Sequence, residues 1–154
     1  MDRTMNAGSD IAALAGRVLI AVMFVGAGVG KITGYADTAG YMTSEGLPIV
    51  GVLLPLTILL EVGGGIALIA GWKTRWFALA LAAFTVMASL LFHNFWAMSG
   101  EAVMTNTLFF TKNVAIIGGL LTVFAFGPGR FSVDQRVKRT ASTAIPAYAS
   151  RARQ

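Results

Sequence analysis

Four stretches of about twenty mostly apolar residues, 11–32, 47–71, 75–93 and 107–126, leave this chain few folds to choose from. Roughly 20 such residues carry a helix across a hydrocarbon core, where each backbone N–H and C=O must be satisfied within its own segment. The composition agrees: of 154 residues, 56% are hydrophobic and only 12% charged, with mean hydropathy +0.71. A soluble domain of this size needs far more charge to cover its surface. The expected fold is all-α, an antiparallel bundle of four transmembrane helices, in a single domain at 11–127. A short segment, 1–10, precedes it and a basic tail, 128–154, follows.

Orientation follows from the lysines and arginines. Arg3, Lys73, Arg75, Arg130, Arg136, Lys138, Arg139, Arg151 and Arg153 fall on one side of the spans, whereas the other loops carry Asp37, Glu45 and Glu101. Both termini are therefore expected in the cytoplasm, with the protein multi-pass in its membrane. The net charge of +5 lies beside the spans, a pattern that suits anionic lipid headgroups and makes nucleic acid an unlikely partner class. Gly127, Pro128 and Gly129 supply a helix stop, Pro55 falls within the second span, and Trp72, Trp76 and Trp96 sit near the interfaces. The connection 33–46 reads as a loop, and the tail from 133 onward as frayed or surface-bound.

Charged groups inside apolar spans are costly and need partners or a wet cavity. Here they are Arg17, Lys31, Glu61, His93 and Lys112, with Asn94 and Asn113 beside them. Arg17 and Lys31 share one helix face, about 21 Å apart along the axis. Counting Glu61 inward from residue 47 places it at the depth of Arg17, and the expectation is an Arg17–Glu61 ion pair facing the bundle interior. Lys31, His93 and Lys112 approach the opposite end and form the walls of an outward-facing polar pocket. Asn113 adds an amide and Trp96 a ring that would stack on a planar ligand. The blander readings are a register-fixing pair for Arg17 and Glu61 and snorkelling for each lysine. Coincident cations favour an anion or an electron-rich ligand.

With no cysteine and one histidine, the chain carries no thiolate site, and no metal site is expected. Residues 26–31 read G-x-G-x-G-K, but no Ser or Thr follows the lysine and no strand precedes, so the run is a packing face and not a phosphate loop. The glycines of three spans, Gly26, Gly28 and Gly30, Gly63 to Gly65, and Gly118 with Gly119, allow close helix contact.

The order of these motifs resembles the DoxX family of small four-helix bacterial membrane proteins. It rests on G-R at Gly16 and Arg17, G-x-G-K-I ending at Ile32, Y-M at Tyr41 and Met42, and G-L-P at Gly46 to Pro48. Further on stand Glu61 with Gly64, G-W-K-T-R at Gly71 to Arg75, H-N-F-W-A-M-S-G at His93 to Gly100, K-N at Lys112 and Asn113, and G-P-G at Gly127 to Gly129. The resemblance implies the fold, a place in the bacterial inner membrane, and a link to redox physiology, quinone detoxification and oxidative stress in which family members work beside oxidoreductases. The leading expectation is a redox-associated membrane subunit, without an intrinsic cofactor, that binds a quinone-like ligand in the outer pocket. One rival is a non-enzymatic scaffold for an oxidoreductase or other membrane complex, recruiting its partner through the glycine-rich faces and the loops, with a homo-oligomer as a further partner state. Another is a small transporter using the same polar groups.

Overall fold

The computed structural model describes residues 7–151, with side chains to residue 142; Arg3, Arg153 and the side chain of Arg151 lie outside the described residues. Six helices follow in order: α1 (Ala7–Thr33), α2 (Tyr35–Ser44), α3 (Val50–Ala70), α4 (Thr74–Phe92), α5 (Glu101–Phe126) and α6 (Val133–Arg151), with a 3-10 turn at Phe95–Ala97. The four spans run Ala7–Thr33, Val50–Ala70, Thr74–Ala97 and Glu101–Phe126. Among the described residues there is no strand.

Two parts differ from the expectation. The 33–46 connection is mostly helix α2, and the tail continues as helix α6. In α2 the Thr38 hydroxyl donates to the Gly34 carbonyl, while Gly34 itself follows α1 with only a one-residue break. In α6 the Ser132 Oγ accepts from Gln135 N–H, so a hydroxyl that looked like tail polarity starts the helix. The start of α3 also shifts, because Ile49 adopts φ +46° and the helix begins at Val50.

The bundle is turned inside out relative to a soluble one. Large apolar side chains such as Leu19 (70% exposed) and Leu59 (68%) face outward, as a lipid solvent requires. Arg17, Glu61, Thr85, Ser89 and Asn113 are buried with a small apolar core of Ala21, Leu68, Ala78, Leu81 and Leu120. Helix α1 packs chiefly on α3, and α4 on α5. A Cβ on Gly65 would come 2.7 Å from Val25 Cγ2, and one on Gly28 would come 2.6 Å from Val62 Cγ2. These two glycines thus let α1 and α3 approach backbone to backbone.

The start of α1, the α3–α4 turn and the α5–α6 link meet at one end of the bundle. Asp10 Oδ1 accepts from Arg130 N–H at 3.0 Å, and Asp134 N–H donates to the Gly71 carbonyl at 2.9 Å. Gly71 stands at φ +70° as the left-handed cap of α3, and a Cβ there would strike the Ser132 side chain. This end carries Lys73, Arg75, Arg130, Arg136, Lys138 and Arg139, and the far end carries Asp37, Glu45 and Glu101.

Asp134 serves α4 as an N-cap from another helix. Its carboxylate accepts from Lys73 N–H, Thr74 N–H and the Thr74 hydroxyl at 2.8, 2.9 and 2.8 Å. Burial pushes this carboxyl up, but the Thr74 and Lys73 hydrogen bonds, with the Lys138 charge, outweigh it and hold the group below its ordinary value. The cap's stabilisation is therefore full above the unfolded carboxyl value of about 3.9 and is lost as pH falls through the lower folded value. Asp134→Asn should cost about 1 kcal/mol at neutral pH, a difference that fades in acid. Thermal unfolding of solubilised protein at neutral and acid pH checks this; a pH-independent difference would contradict it.

Candidate functional site

At the end of the bundle opposite the basic cluster, α1, α3, α4 and α5 diverge around a cavity of about 340 Å³. Lys31, His93, Lys112 and Asn113, four of the residues singled out in the sequence, line it together. Phe24, Phe84, Phe92 and Ile116 supply apolar walls, and Thr38, Tyr41 and Met42 reach in from α2. Helix α2 covers this end: Met42 is buried, and the Tyr41 ring lies 5.5 Å from that of Phe92. The segment expected as a loop is thus part of the site.

The expected Arg17–Glu61 ion pair is not formed. Arg17 donates from Nη1 to the Pro128 carbonyl at 2.6 Å and from Nη2 to the Phe131 carbonyl at 2.8 Å. Glu61 instead pairs with Lys31, whose Nζ stands 2.9 Å from both carboxylate oxygens. The reason is register. Gly28 lies against Glu61 and Val62, Gly65 against Ala21 and Val25, and this antiparallel alignment brings Gly71 to Arg17. Glu61 is then about 15 Å further along α3. Side chains lean toward the N-terminus of their own helix, so Lys31 leans into the bundle and Glu61 leans outward, and the two meet.

That pairing changes the role of each cation. Lys31 is held by the buried carboxylate as part of the wall. Lys112, by contrast, has no carboxylate partner among the described residues, and its ammonium stands 5.0 Å from the centroid of the Phe109 ring. Beside it the Asn113 amide donates to Ser89 Oγ at 3.0 Å, and Ser89 donates in turn to the Thr85 carbonyl at 2.6 Å. The hydroxyl stripe on α4 therefore fixes Asn113 in place. His93 Nδ1 lies 2.9 Å from Asn106 Oδ1, and its ring packs on Phe109 with centroids 5.1 Å apart.

Trp96 does not line the cavity. Helix α4 ends at Phe92, and the 3-10 turn Phe95–Ala97 that follows carries Trp96 away from the cavity. Trp96 is 58% exposed, and its indole packs edge-on against Phe95 and Phe110. Sequence reasoning also missed Asn106, Thr38 and Tyr41 as site residues, since all three lay in segments read as loops. Among the described residues, no group of three histidine, cysteine, aspartate or glutamate side chains is placed to hold a metal ion.

A family model described as DoxX matches residues 12–94, a stretch containing Arg17, Lys31, Glu61 and His93. The chain is 45% identical over 130 residues to the inner membrane protein YqjF of Escherichia coli, covering 84% of this chain and 95% of that one. It is 32% identical over 131 residues to the inner membrane protein YphA of the same organism, covering 85% and 94%. A Surfeit locus protein 4 homolog of Schizosaccharomyces pombe is 30% identical over 127 residues, 81% of this chain but 37% of that protein. No solved structure matches.

Proposed function

Since this chain belongs to the DoxX family and is a multi-pass membrane protein with inner-membrane relatives, we propose that it is a redox-associated subunit binding a quinone-like ligand in the cavity between its spans. The observation that carries this reading is Lys112, an ammonium without a carboxylate partner among the described residues, on the wall of a largely apolar cavity. A cation inside a span costs about 2.5–3.5 kcal/mol on insertion scales, and a ligand oxygen brought to it offsets that cost. The volume, about 340 Å³, suits a single substituted ring, since small-molecule sites run from about 300 to 1,000 Å³. Phe24, Phe84 and Phe92 would hold the ring by its faces and edges, while Lys112 and Asn113 would fix its oxygens. The chain has no cysteine, so electrons would travel on the ligand and be exchanged with a partner oxidoreductase.

The full-length protein in lipid nanodiscs, titrated with a short-tailed benzoquinone, should show saturable binding. Lys112→Ala should weaken it about tenfold or more, that is by about 1.4 kcal/mol. Absence of saturation, or Lys112→Ala and His93→Ala variants that both bind like the unaltered protein, would overturn the reading.

A further inference from the structure

His93 is the one histidine in the chain, and the side chain behind it sets its tautomer. Asn106 Nδ2 donates to the Ala102 carbonyl at 3.0 Å. A carbonyl can only accept, so the amide NH2 must be the half that faces Ala102, and the amide oxygen must face His93. That oxygen stands 2.9 Å from Nδ1, which therefore carries the ring hydrogen. In the neutral ring Nε2 is then a bare lone pair, an acceptor and nothing else. Phe109 packs against the ring, the ring lines the cavity, and Nε2 has no protein partner among the described residues.

We propose that Asn106 is a positioning residue that makes His93 a hydrogen-bond acceptor toward the cavity, so that the site takes the hydroxylated form of a ring ligand in preference to its carbonyl form. This rests on the ligand-site reading above and adds the ligand's hydrogen-bonding class. Lys112, Lys31 and the Asn113 amide are donors and receive the oxygen of either form, so they do not discriminate. The Glu61 carboxylate on the same wall is engaged at both oxygens by Lys31. Nε2 does discriminate. A hydroxyl donates to it, whereas a carbonyl sets lone pair against lone pair and leaves both acceptors unpaired away from water. Sites built to pair a ligand hydroxyl reject the analogue that lacks it, and a preference of about tenfold or more is expected.

Two measurements on the full-length protein in nanodiscs test this. With isotope-labelled histidine, the single ring gives one pair of nitrogen resonances, expected at a pH that keeps it neutral to show a protonated Nδ1 and an unprotonated Nε2. Asn106→Asp, which keeps an acceptor beside Nδ1, should preserve that pattern, and Asn106→Leu should lose it. Titrated without oxygen, a short-tailed hydroquinone should bind about tenfold more tightly than the matching quinone, and in Asn106→Leu the two affinities should fall within about twofold. A ring protonated at Nε2, or equal affinities in the unaltered protein, overturns the proposal. If neither form binds saturably, the cavity's role as a ligand site falls, and the preference falls with it.

Discussion

Replacing Arg17 by methionine should lower the unfolding free energy by about 3 kcal/mol, the largest loss expected from a single polar side chain at the basic end. Arg17 is fully buried and donates to two backbone carbonyls in the link between α5 and α6, tying α1 to residues more than a hundred positions away. Hydrogen bonds from a charged donor contribute about 1.5–3 kcal/mol each, and truncation leaves the Pro128 and Phe131 carbonyls unpaired. The lost desolvation cost of the guanidinium offsets part of this, as does the fact that Nε has no partner among the described residues. Lysine would restore one bond and recover less than half. A melting temperature in detergent unchanged in Arg17→Met would contradict the assignment. So would loss of ligand binding in protein that is still folded, because Arg17 lies at the far end from the cavity.

The second large effect is expected at the Lys31–Glu61 pair. Lys31→Met should cost about 3 kcal/mol, since it leaves a nearly enclosed carboxylate without its cation. The side chain of Lys31 is 26% exposed, so solvent trims the pair's attraction and the figure belongs at the low end of the range for buried pairs. Replacing both residues, Lys31→Met with Glu61→Leu, should return most of the lost stability, because an apolar pair of similar volume carries no desolvation cost. A double-mutant cycle by chemical unfolding should thus give a coupling of about 2 kcal/mol. Additive losses would show that the two groups act separately, and a coupling between Arg17 and Glu61 instead would restore the pairing that the sequence suggested.

Both predictions mark where sequence reasoning stops. The four spans, the helix stop at Gly127 to Gly129 and the uneven distribution of charge were legible because each is local: a run of apolar residues, a left-handed glycine, a loop rich in arginine. The convergence of Lys31, His93, Lys112 and Asn113 was legible as well, since counting along the spans put all four toward the same end of the bundle. Helix α5 begins at Glu101, however, and so carries Lys112 and Asn113 deeper than a start at residue 107 would. Missed were the helix α2, Asn106 as the partner of His93, and Asp10 and Asp134 as caps of other segments. Asp134 caps a helix that begins sixty positions earlier in the chain, and no local pattern encodes such a contact.

The sequence by itself determined the solvent, because only lipid can accommodate so many outward apolar side chains with so few charges. It also marked Arg17, Glu61 and Asn113 as polar groups that the bundle shelters, though not Asp10. Only the tertiary structure decided which cation meets which anion. That choice rests on the sliding register of α1 against α3, fixed where Gly28 and Gly65 let the backbones touch. A shift of a few residues along that contact moves a charge by several ångströms, enough to make or break a hydrogen bond, while the hydropathy of both helices stays the same.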